Sequence, residues 1–250
     1  MTFSVLSKTG VCACLFAACS LFAQDDSTPD VRRPSIGVRV EYYPLRLFKT
    51  STVESSTTQP AADYTYTATT SASKFAVSPT VDYRLSPRVS LGLEVHFYHA
   101  QYSQKTVMLS GVKDPNSPVD DRKATTITDT TKADYWDFPL LLRYYGLRKH
   151  GLFSRSYASG GLQYRHVGTI RTGVEYAYAD GNTNYDEIPD APNKRNQFGA
   201  VIGVGMRFID DFKIKVAPEI RYIRWVGATF QGPAYTAVGN QFEAGLGISF

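Results

Sequence analysis

Charged residues alternate with apolar ones in several segments, and they are the side chains through which this chain could do chemistry. In residues 89–97, Glu94 and His96 share one face of an extended strand, because successive side chains of a strand point to opposite sides. The same alternation elsewhere predicts thirteen charged positions on the face opposite the apolar residues: Arg39, Glu41, Asp82, Arg84, Glu94, Asp137, Arg143, Arg165, Arg207, Lys215, Glu219, Arg221 and Glu243.

Two interpretations of this charged face are open. Enclosed in a narrow interior, charges of both signs would pair into an ionic, hydrogen-bonded plug, because unpaired charges away from water are costly. Alternatively, they would line a charged channel or a proton path. We expect the plug.

The histidines offer little further chemistry. His96, His99, His150 and His166 do not stand at a spacing that suits a shared metal on one strand face. His99 and Ser103 could in principle cut an acyl ester, but no third group and no oxyanion site accompany them. We therefore expect no catalytic residues, no metal and no cofactor, so that the chain is not an enzyme.

The segment Asp180–Asp186 resembles a calcium loop in its alternating oxygen ligands. However, Tyr185 stands where the glycine of the tight turn belongs, and Ala191 stands where a bidentate glutamate should be. A polar hairpin tip, rich in Asn and Gly as turns are, is the preferred interpretation.

The N-terminal segment predicts secretion. Residues 1–23 carry a single charge, Lys8, followed by a short apolar run, and this order is typical of a signal peptide with cleavage between Ala23 and Gln24. A signal anchor is one alternative, and a lipoprotein with Cys19 lipidated is another. All three cysteines lie in this segment, so the mature chain would have no disulfide. Residues 24–34 are expected to form a periplasmic N-terminal segment.

Residues 35–250 predict an all-β domain. Strictly alternating apolar and polar or small residues mark 89–97, 198–208 and 242–250, and the same template fits five more segments, at 35–48, 74–85, 134–145, 157–170 and 212–226. Eight strands with one apolar and one polar face indicate an eight-stranded antiparallel transmembrane β-barrel. A soluble lipocalin or sandwich is the alternative, but there the apolar face would point into the core.

Connection lengths and aromatic residues support the membrane interpretation. Short connections at 86–88, 146–154 and 209–211 alternate with longer polar ones near 49–73, 104–133, 171–195 and 227–239, as in bacterial outer-membrane barrels with long loops outside the cell. The stretch 51–73 is either a mobile loop or a strand extension. Aromatic residues near strand ends, including Tyr135 and Trp136 at one end and Tyr144 and Tyr145 at the other, fit girdles at the two interfaces.

One segment carries a family resemblance. From Asp134 to Tyr145 the chain has an aromatic, an acidic and an apolar residue followed by Pro-Leu-Leu-Leu, a basic residue and Tyr. Together with 157–165 and 218–225, this pattern resembles the outer-membrane β-barrel domain family, often called porin-family proteins and related in architecture to OmpA- and OmpX-type barrels. The resemblance implies that Phe250 is an assembly signal read by the barrel-assembly machinery. Pro139 and Pro218 within strands predict local bulges.

These observations favour a protein of the bacterial outer membrane with a structural or surface-interaction role through long extracellular loops. A narrow porin-like channel for small solutes is the alternative, and an outer-leaflet lipid-modifying enzyme is a more remote one. Outer-membrane lipids and lipopolysaccharide are the expected partners, with an extracellular ligand that the sequence does not identify. The net charge of +4, or +3 without Lys8, is too small and too scattered to indicate a nucleic-acid partner.

Overall fold

The computed structural model describes residues 34–58, 61–114, 122–146, 155–188, 192–209 and 214–250. Signal cleavage at Ala23 and Gln24, and His150, lie outside these residues. None of the described residues belongs to a helix with the length and apolar character needed to cross a bilayer. The described chain contains β1 (Pro34–Tyr42), β2 (Phe48–Thr50), β3 (Thr52–Thr58), β4 (Ala61–Ala72), β5 (Phe75–Ser86), β6 (Val89–Glu94), β7 (His96–Ser110), β8 (Lys123–Tyr145), β9 (Ser156–Ala177), β10 (Thr183–Ile188), β11 (Asn196–Met206), β12 (Phe208–Ile209), β13 (Lys215–Trp225), β14 (Tyr235–Ala237) and β15 (Asn240–Ser249).

Eight strand positions close into a ring of antiparallel pairs. The order is β1, β5, β6, β8, β9, β11, β13 and β15, and β15 pairs with β1 again from Gly37↔Ser249 to Tyr42↔Ala244. β7 continues β6 beyond a break at Val95 and also pairs with β8. The prediction of an all-β, antiparallel fold is confirmed, and each predicted segment overlaps one position of the ring. The first predicted strand was too long, because β1 ends at Tyr42 and Phe48 belongs to β2.

The strands of the ring have an apolar outer face because every second residue is apolar. The residues between them point into the ring and are mostly polar, charged or small, which is the alternation expected of a strand with two different surroundings. The exceptions include a buried apolar cluster of Leu141, Val201, Ile223 and Trp225. The outward apolar side chains remain exposed and form a belt that includes Val38, Val40, Val77, Val81, Leu91, Leu93, Leu140, Leu142, Leu162, Ile202, Val204, Ile220, Leu246 and Ile248.

Aromatic rings mark one end of this belt, which we call the outer end because β7, β8 and β9 continue beyond it. Tyr135 and Tyr145 do not belong to the girdles at the two ends as expected: both point into the ring, because they alternate with Trp136 and Tyr144, which point outward. Each position of the ring contributes one aromatic residue, and these residues contact one another in neighbouring pairs with centroids 4.6–5.2 Å apart: Tyr42–Phe75, Phe97–Trp136, Tyr164–Phe198 and Tyr222–Phe242.

Beyond the outer end, the wall continues as an open sheet on one side of the ring. β8 has 23 residues and β9 has 22, about twice the 9–11 needed to cross a bilayer. β4 pairs along β7, β3 pairs with β4, and β10 pairs with β9. The order β3-β4-β7-β8-β9-β10 defines what we call the outer sheet.

The outer sheet corrects the expectation of long loops at 104–133 and 171–195. Residues 104–110, 123–133, 171–177 and 183–188 are strands, and 52–72 is mostly a strand extension. The alternation was hidden because threonines such as Thr65, Thr67, Thr126 and Thr128 give the outward face no apolar character, although β-branched residues favour strands.

The prolines do not produce the expected bulges. β13 pairs with β15 through Pro218↔Leu246 without a register shift at the proline. β8 likewise pairs with β9 through Pro139↔Gln163 without a register shift at that residue. Pro139 instead lies beside the break between β6 and β7 at Val95. A proline has no N–H for the ladder on that side.

Candidate functional site

The interior of the ring collects most of the charged residues that alternation placed on the inward face. Their side chains meet because each strand contributes alternate residues to a space only wide enough for side chains in a ring of eight strands. Four of the thirteen, Asp82, Arg84, Arg207 and Lys215, are half-buried toward the inner end. The other nine are buried: Arg39, Glu41, Glu94, Asp137, Arg143, Arg165, Glu219, Arg221 and Glu243.

Arg221 is the centre of the network. Its Nη1 and Nη2 donate to the two carboxylate oxygens of Glu94, each at 2.6 Å, in a bidentate pair. Nη2 also donates to Glu219 Oε2 at 3.0 Å. Planar guanidinium and carboxylate groups match in this geometry, so these bonds are both directional and strong.

Two further arginines attach to the same carboxylates. Arg39 Nη1 donates to Glu219 Oε2 at 2.8 Å, and its Nε donates to Glu41 Oε1 at 3.0 Å. Arg143 bridges Asp82 and Glu94, with 2.5 Å between its Nη2 and Glu94 Oε1. Three arginines and two glutamates are therefore joined in one network inside the ring: Arg39, Arg143, Arg221, Glu94 and Glu219. We call these five residues, together with Glu41 and His96, the ionic layer.

Small inward residues make room for this layer. A side chain at Gly245 would overlap the guanidinium of Arg39, and a side chain at Gly92 would overlap that of Arg143. The interior polar groups are completed by Tyr157 and Ser159, whose hydroxyls donate to Glu219 at 3.0 and 2.6 Å. The arginine side chains thus occupy the space that the glycines leave, and the hydroxyls complete the hydrogen bonding of Glu219.

His96 joins two carboxylates. Its Nδ1 lies 2.8 Å from Glu41 Oε2, and its Nε2 lies 3.1 Å from Glu94 Oε2. Because an ionised carboxylate only accepts hydrogen bonds, Nε2 is the donor in its bond to Glu94, whereas Nδ1 faces Glu41 without a hydrogen bond. Alternation had placed His96 beside Glu94 on the inward face but gave no sign of its partner Glu41, which comes from another strand.

Glu41, His96 and Glu243 are the one group of three potential metal ligands in the part of the chain that the structure describes, with ligand atoms within 4.8 Å of one another. The group does not fit a metal well, because Nε2 of His96 is hydrogen-bonded to Glu94 and Nδ1 lies in ion-pair contact with Glu41. Glu243 differs from the other buried carboxylates. Its Oε1 accepts a bond from Gln241 at 3.1 Å, its Oε2 has no partner, and no cation pairs with it among the described residues.

Above the ionic layer, Arg165 marks a change from charged to aromatic surroundings. Its Nε and Nη2 donate to the two oxygens of Asp137, each at 2.7 Å. The guanidinium lies 3.8 Å from the ring centroid of Trp225 and 4.8 Å from that of Tyr135, within the range of cation–π attraction.

The outer mouth of the ring is closed by aromatic side chains from two loops. β2 and β14 pair as a small separate sheet, from Phe48↔Ala237 to Thr50↔Tyr235. Phe48 and the nearby Phe230 are buried, with 1% and 2% of their surface exposed. We call the cluster they form the aromatic plug; its members are Tyr43, Phe48, Ala76, Tyr98, Ala100, Tyr102, Ala133, Tyr135, Val167 and Phe230. Sequence analysis missed Phe230, because it lies in a connection without alternation.

The remaining sequence candidates lie apart from this interior. His99 is exposed on the outer face, 2.6 Å from Asp134, whereas Ser103 bonds to Thr130 at 3.1 Å, so the structure does not bring His99 and Ser103 together. Phe250 is 73% exposed, and its backbone N–H donates to Ile36 at 3.0 Å.

The suspected calcium loop uses its first carboxylate within its own turn. Asn182 donates to Asp180 from its backbone N–H at 3.0 Å and from its side chain at 2.7 Å, and Gly181 has the positive φ of 85° that the turn requires. The backbone bond from Asn182 holds the pKa of Asp180 below its usual value. This geometry is that of a hairpin tip.

Comparison with a known protein family agrees with the fold. The model of the outer membrane protein beta-barrel domain matches residues 11–250. Among solved structures, the chain is similar to the solid-state NMR structure of outer membrane protein AlkL in DMPC lipid bilayers, with 10% identity, a TM-score of 0.39, and coverage of 90% of this chain and 92% of that one. No curated protein sequence matches the chain.

Proposed function

Because this chain belongs to the outer membrane protein β-barrel domain family and is therefore a protein of the outer membrane, we propose that it crosses the membrane with its eight ring positions as a closed scaffold. The scaffold does not conduct solutes, and it displays the outer sheet at the cell surface for structural or adhesive contacts. This role requires no catalytic group, metal or cofactor.

The observation that carries the proposal is the double closure of the interior. The ionic layer fills the ring with three arginine side chains paired to carboxylates, Arg165 pairs with Asp137 above it, and the aromatic plug covers the outer mouth. A pore needs a continuous water-filled path, as in barrels with sixteen or more strands, whereas eight strands leave room only for side chains or one small ligand. The narrow channel is therefore the less favoured function.

The asymmetry of the two ends supports the surface role. At the inner end β5 and β6 are joined through the tight turn at Pro87 and Arg88, whereas at the outer end the wall extends into six strands. Barrels of bacterial outer membranes place short turns in the periplasm and long segments outside the cell. The outer sheet would then face the surroundings of the cell and meet the unidentified extracellular ligand.

Biogenesis follows from the same proposal. Residues 1–23 would direct export and be removed before Gln24. The barrel-assembly machinery would then insert the chain, with Phe250 as part of its signal. The exposed apolar belt would contact membrane lipids, and the outer end would contact lipopolysaccharide.

Planar-bilayer recordings test the closed interior. Purified protein refolded in detergent should leave the conductance of the bilayer at its baseline, while a sixteen-stranded porin in the same chamber shows discrete steps. Reproducible single-channel steps from the purified protein would overturn the proposal and favour the channel.

Epitope tags provide a second readout that concerns orientation. A tag inserted between residues 58 and 61, at the end of the β3–β4 pair, should bind antibody on intact cells. A matched tag between Pro87 and Arg88 should bind antibody only after the outer membrane is permeabilised. The reverse pattern would contradict the display of the outer sheet.

A further inference from the structure

A groove of about 460 Å³ lies on the outward face of the wall, where the outer sheet meets the ring. Residues from β4, β7, β8 and β9 line it, and those with polar side chains that matter for binding are His99, Gln101, Lys132, Asp134, Thr169 and Arg171. The groove faces away from the lumen, so it is separate from the ionic layer and the aromatic plug.

Two cations stand side by side in this groove. Lys132 and Arg171 are direct partners in the pairing of β8 with β9, and both are exposed. Like charges directly opposite each other on neighbouring strands destabilise a sheet. Neither cation forms an ion pair with any residue that the structure describes, so the pair attracts an anion from outside the chain.

The one carboxylate in the groove is already engaged. Asp134 Oδ1 lies 2.6 Å from His99 Nδ1, and the imidazole is 63% exposed. The bond to Asp134 fixes the ring so that its other nitrogen is available on the open side of the groove. The groups that face a bound anion are therefore Lys132, Arg171 and the free side of His99, with Asp134 behind them.

A local irregularity shapes the groove. The register of β8 with β9 shifts between Ala133 and Tyr135, where Asp134 stands opposite Gly168 and Thr169. An extra residue in one strand bends it and turns its side chains, and such bulges are frequent at binding sites. The indole of Trp136 lies over Gly168, where a Cβ would be 3.5 Å from the ring.

The groove lies next to the aromatic girdle on its outer side. Phe97 and Trp136, with centroids 4.6 Å apart, stand two residues below His99 and four residues below Lys132. At about 3.3 Å per residue and a tilt of roughly 40°, His99 lies roughly 5 Å and Lys132 roughly 10 Å above the girdle. Aromatic girdles mark the edge of the hydrocarbon core, and the headgroup layer beyond it is about 5–7 Å deep. The backbone of Lys132 lies just beyond this layer, and the long side chains of Lys132 and Arg171 can extend back into it.

We propose that this groove is a binding site for the phosphate-bearing headgroup of an outer-leaflet lipid, with Lys132 and Arg171 on the phosphate and Phe97 and Trp136 beside the acyl chains. The two cations donate charge-assisted hydrogen bonds to phosphate oxygens, and the aromatic pair continues the lipid-facing belt. The site rests on the proposed orientation of the outer sheet but not on closure of the lumen.

Lipid binding by the refolded full-length protein tests this site. The protein, in an uncharged detergent, is titrated with bisphosphorylated lipid A and with the same lipid after removal of its phosphates, and bound lipid is counted by native mass spectrometry. We expect the phosphorylated lipid to bind roughly tenfold more tightly, and the double variant Lys132→Gln/Arg171→Gln to lose that difference. The matched control is Lys105→Gln/Arg224→Gln, which removes two exposed cations outside the groove and should leave the dissociation constant unchanged.

The double variant should fold normally, because removal of two opposed like charges does not weaken the sheet. Gel mobility before and after boiling checks that each variant is folded. Equal binding of the dephosphorylated lipid, or equal loss in the control variant, would overturn the proposal. Displacement of the lipid by inorganic phosphate at its own similar affinity would assign the groove to soluble phosphate and overturn a lipid site. A reversed tag pattern with intact lipid binding would overturn the surface role and the assignment to the outer leaflet, whereas the phosphate-binding groove itself would stand.

Discussion

The ionic layer and the aromatic plug lie in the same lumen but are built from different kinds of chain segment. Every side chain of the ionic layer is carried by a strand of the ring, so the ladder of backbone hydrogen bonds fixes its position. The aromatic plug receives its two central rings, Phe48 and Phe230, from segments outside the ring. Damage to the ionic layer should therefore affect the whole ring, whereas damage to the plug should open only the mouth.

The two regions also differ in what their burial costs. Charged groups lose hydration when they are buried, and the ion pairs offset this loss only while every partner is present. Aromatic groups gain from leaving water, with about 1.5–3 kcal/mol for a fully buried phenylalanine side chain. Loss of one partner is thus more severe in the ionic layer than in the plug.

The largest effect is expected from Arg221→Met. The change leaves Glu94 and Glu219 with fewer cations in a buried place, which typically lowers the free energy of unfolding by about 3–5 kcal/mol. Urea unfolding of the refolded protein in detergent, followed by tryptophan fluorescence, measures the loss.

Arg224→Met is the matched control, because Arg224 lies on the same strand but is exposed and, within the described part of the chain, bonds only to Asn240. Its effect should stay within about 0.5 kcal/mol. A loss of similar size in both variants would show that the ionic layer has no special importance for the ring.

A smaller and more local effect is expected from Phe48→Ala/Phe230→Ala. Loss of two buried rings should cost the closed mouth at least about 3 kcal/mol, so the open state becomes at least roughly a hundredfold more populated. Limited proteolysis of the protein in detergent should then cut between residues 43 and 50 or between 227 and 239 much faster, while the urea midpoint of the ring stays near its original value.

The corresponding control is Phe75→Ala, which removes an exposed ring of the girdle and should not change cleavage in these segments. If the plug variant lowers the urea midpoint as much as Arg221→Met does, the two regions are one cooperative unit and the comparison fails.

The smallest effect is expected from Glu243→Gln, and it separates one carboxylate from the rest of the interior. Glu243 has an oxygen without a partner and no cation among the described residues, so an amide should cost less than about 1 kcal/mol at neutral pH or even stabilise the ring. Glu219→Gln, which weakens bonds to Arg39 and Arg221, should cost at least about 2 kcal/mol. Equal unfolding midpoints for the two variants would show that Glu243 is held as firmly as Glu219.

The amino-acid sequence by itself determined the ring strands and their two faces. A strand between lipid and a polar interior must alternate apolar with polar or small residues. Segments such as 89–97 and 242–250 can therefore be recognised as strands without knowledge of the strands beside them. The same rule placed Arg221 and Glu94 on the inward face. It could not place Thr-rich strands such as β4, because their two faces differ too little in polarity.

Only the tertiary structure decided which inward residues meet. Arg221 and Glu94 are 127 positions apart, and their contact depends on the order and register of all eight strands around the ring. The tertiary structure likewise decided three further features: the contact of His96 with Glu41, the position of Phe48 and Phe230 at the mouth, and the pairing of Lys132 with Arg171. Alternation is a property of each strand and can be read locally, whereas register is a property of pairs of strands, and a shift of one residue would have turned every side chain to the other face.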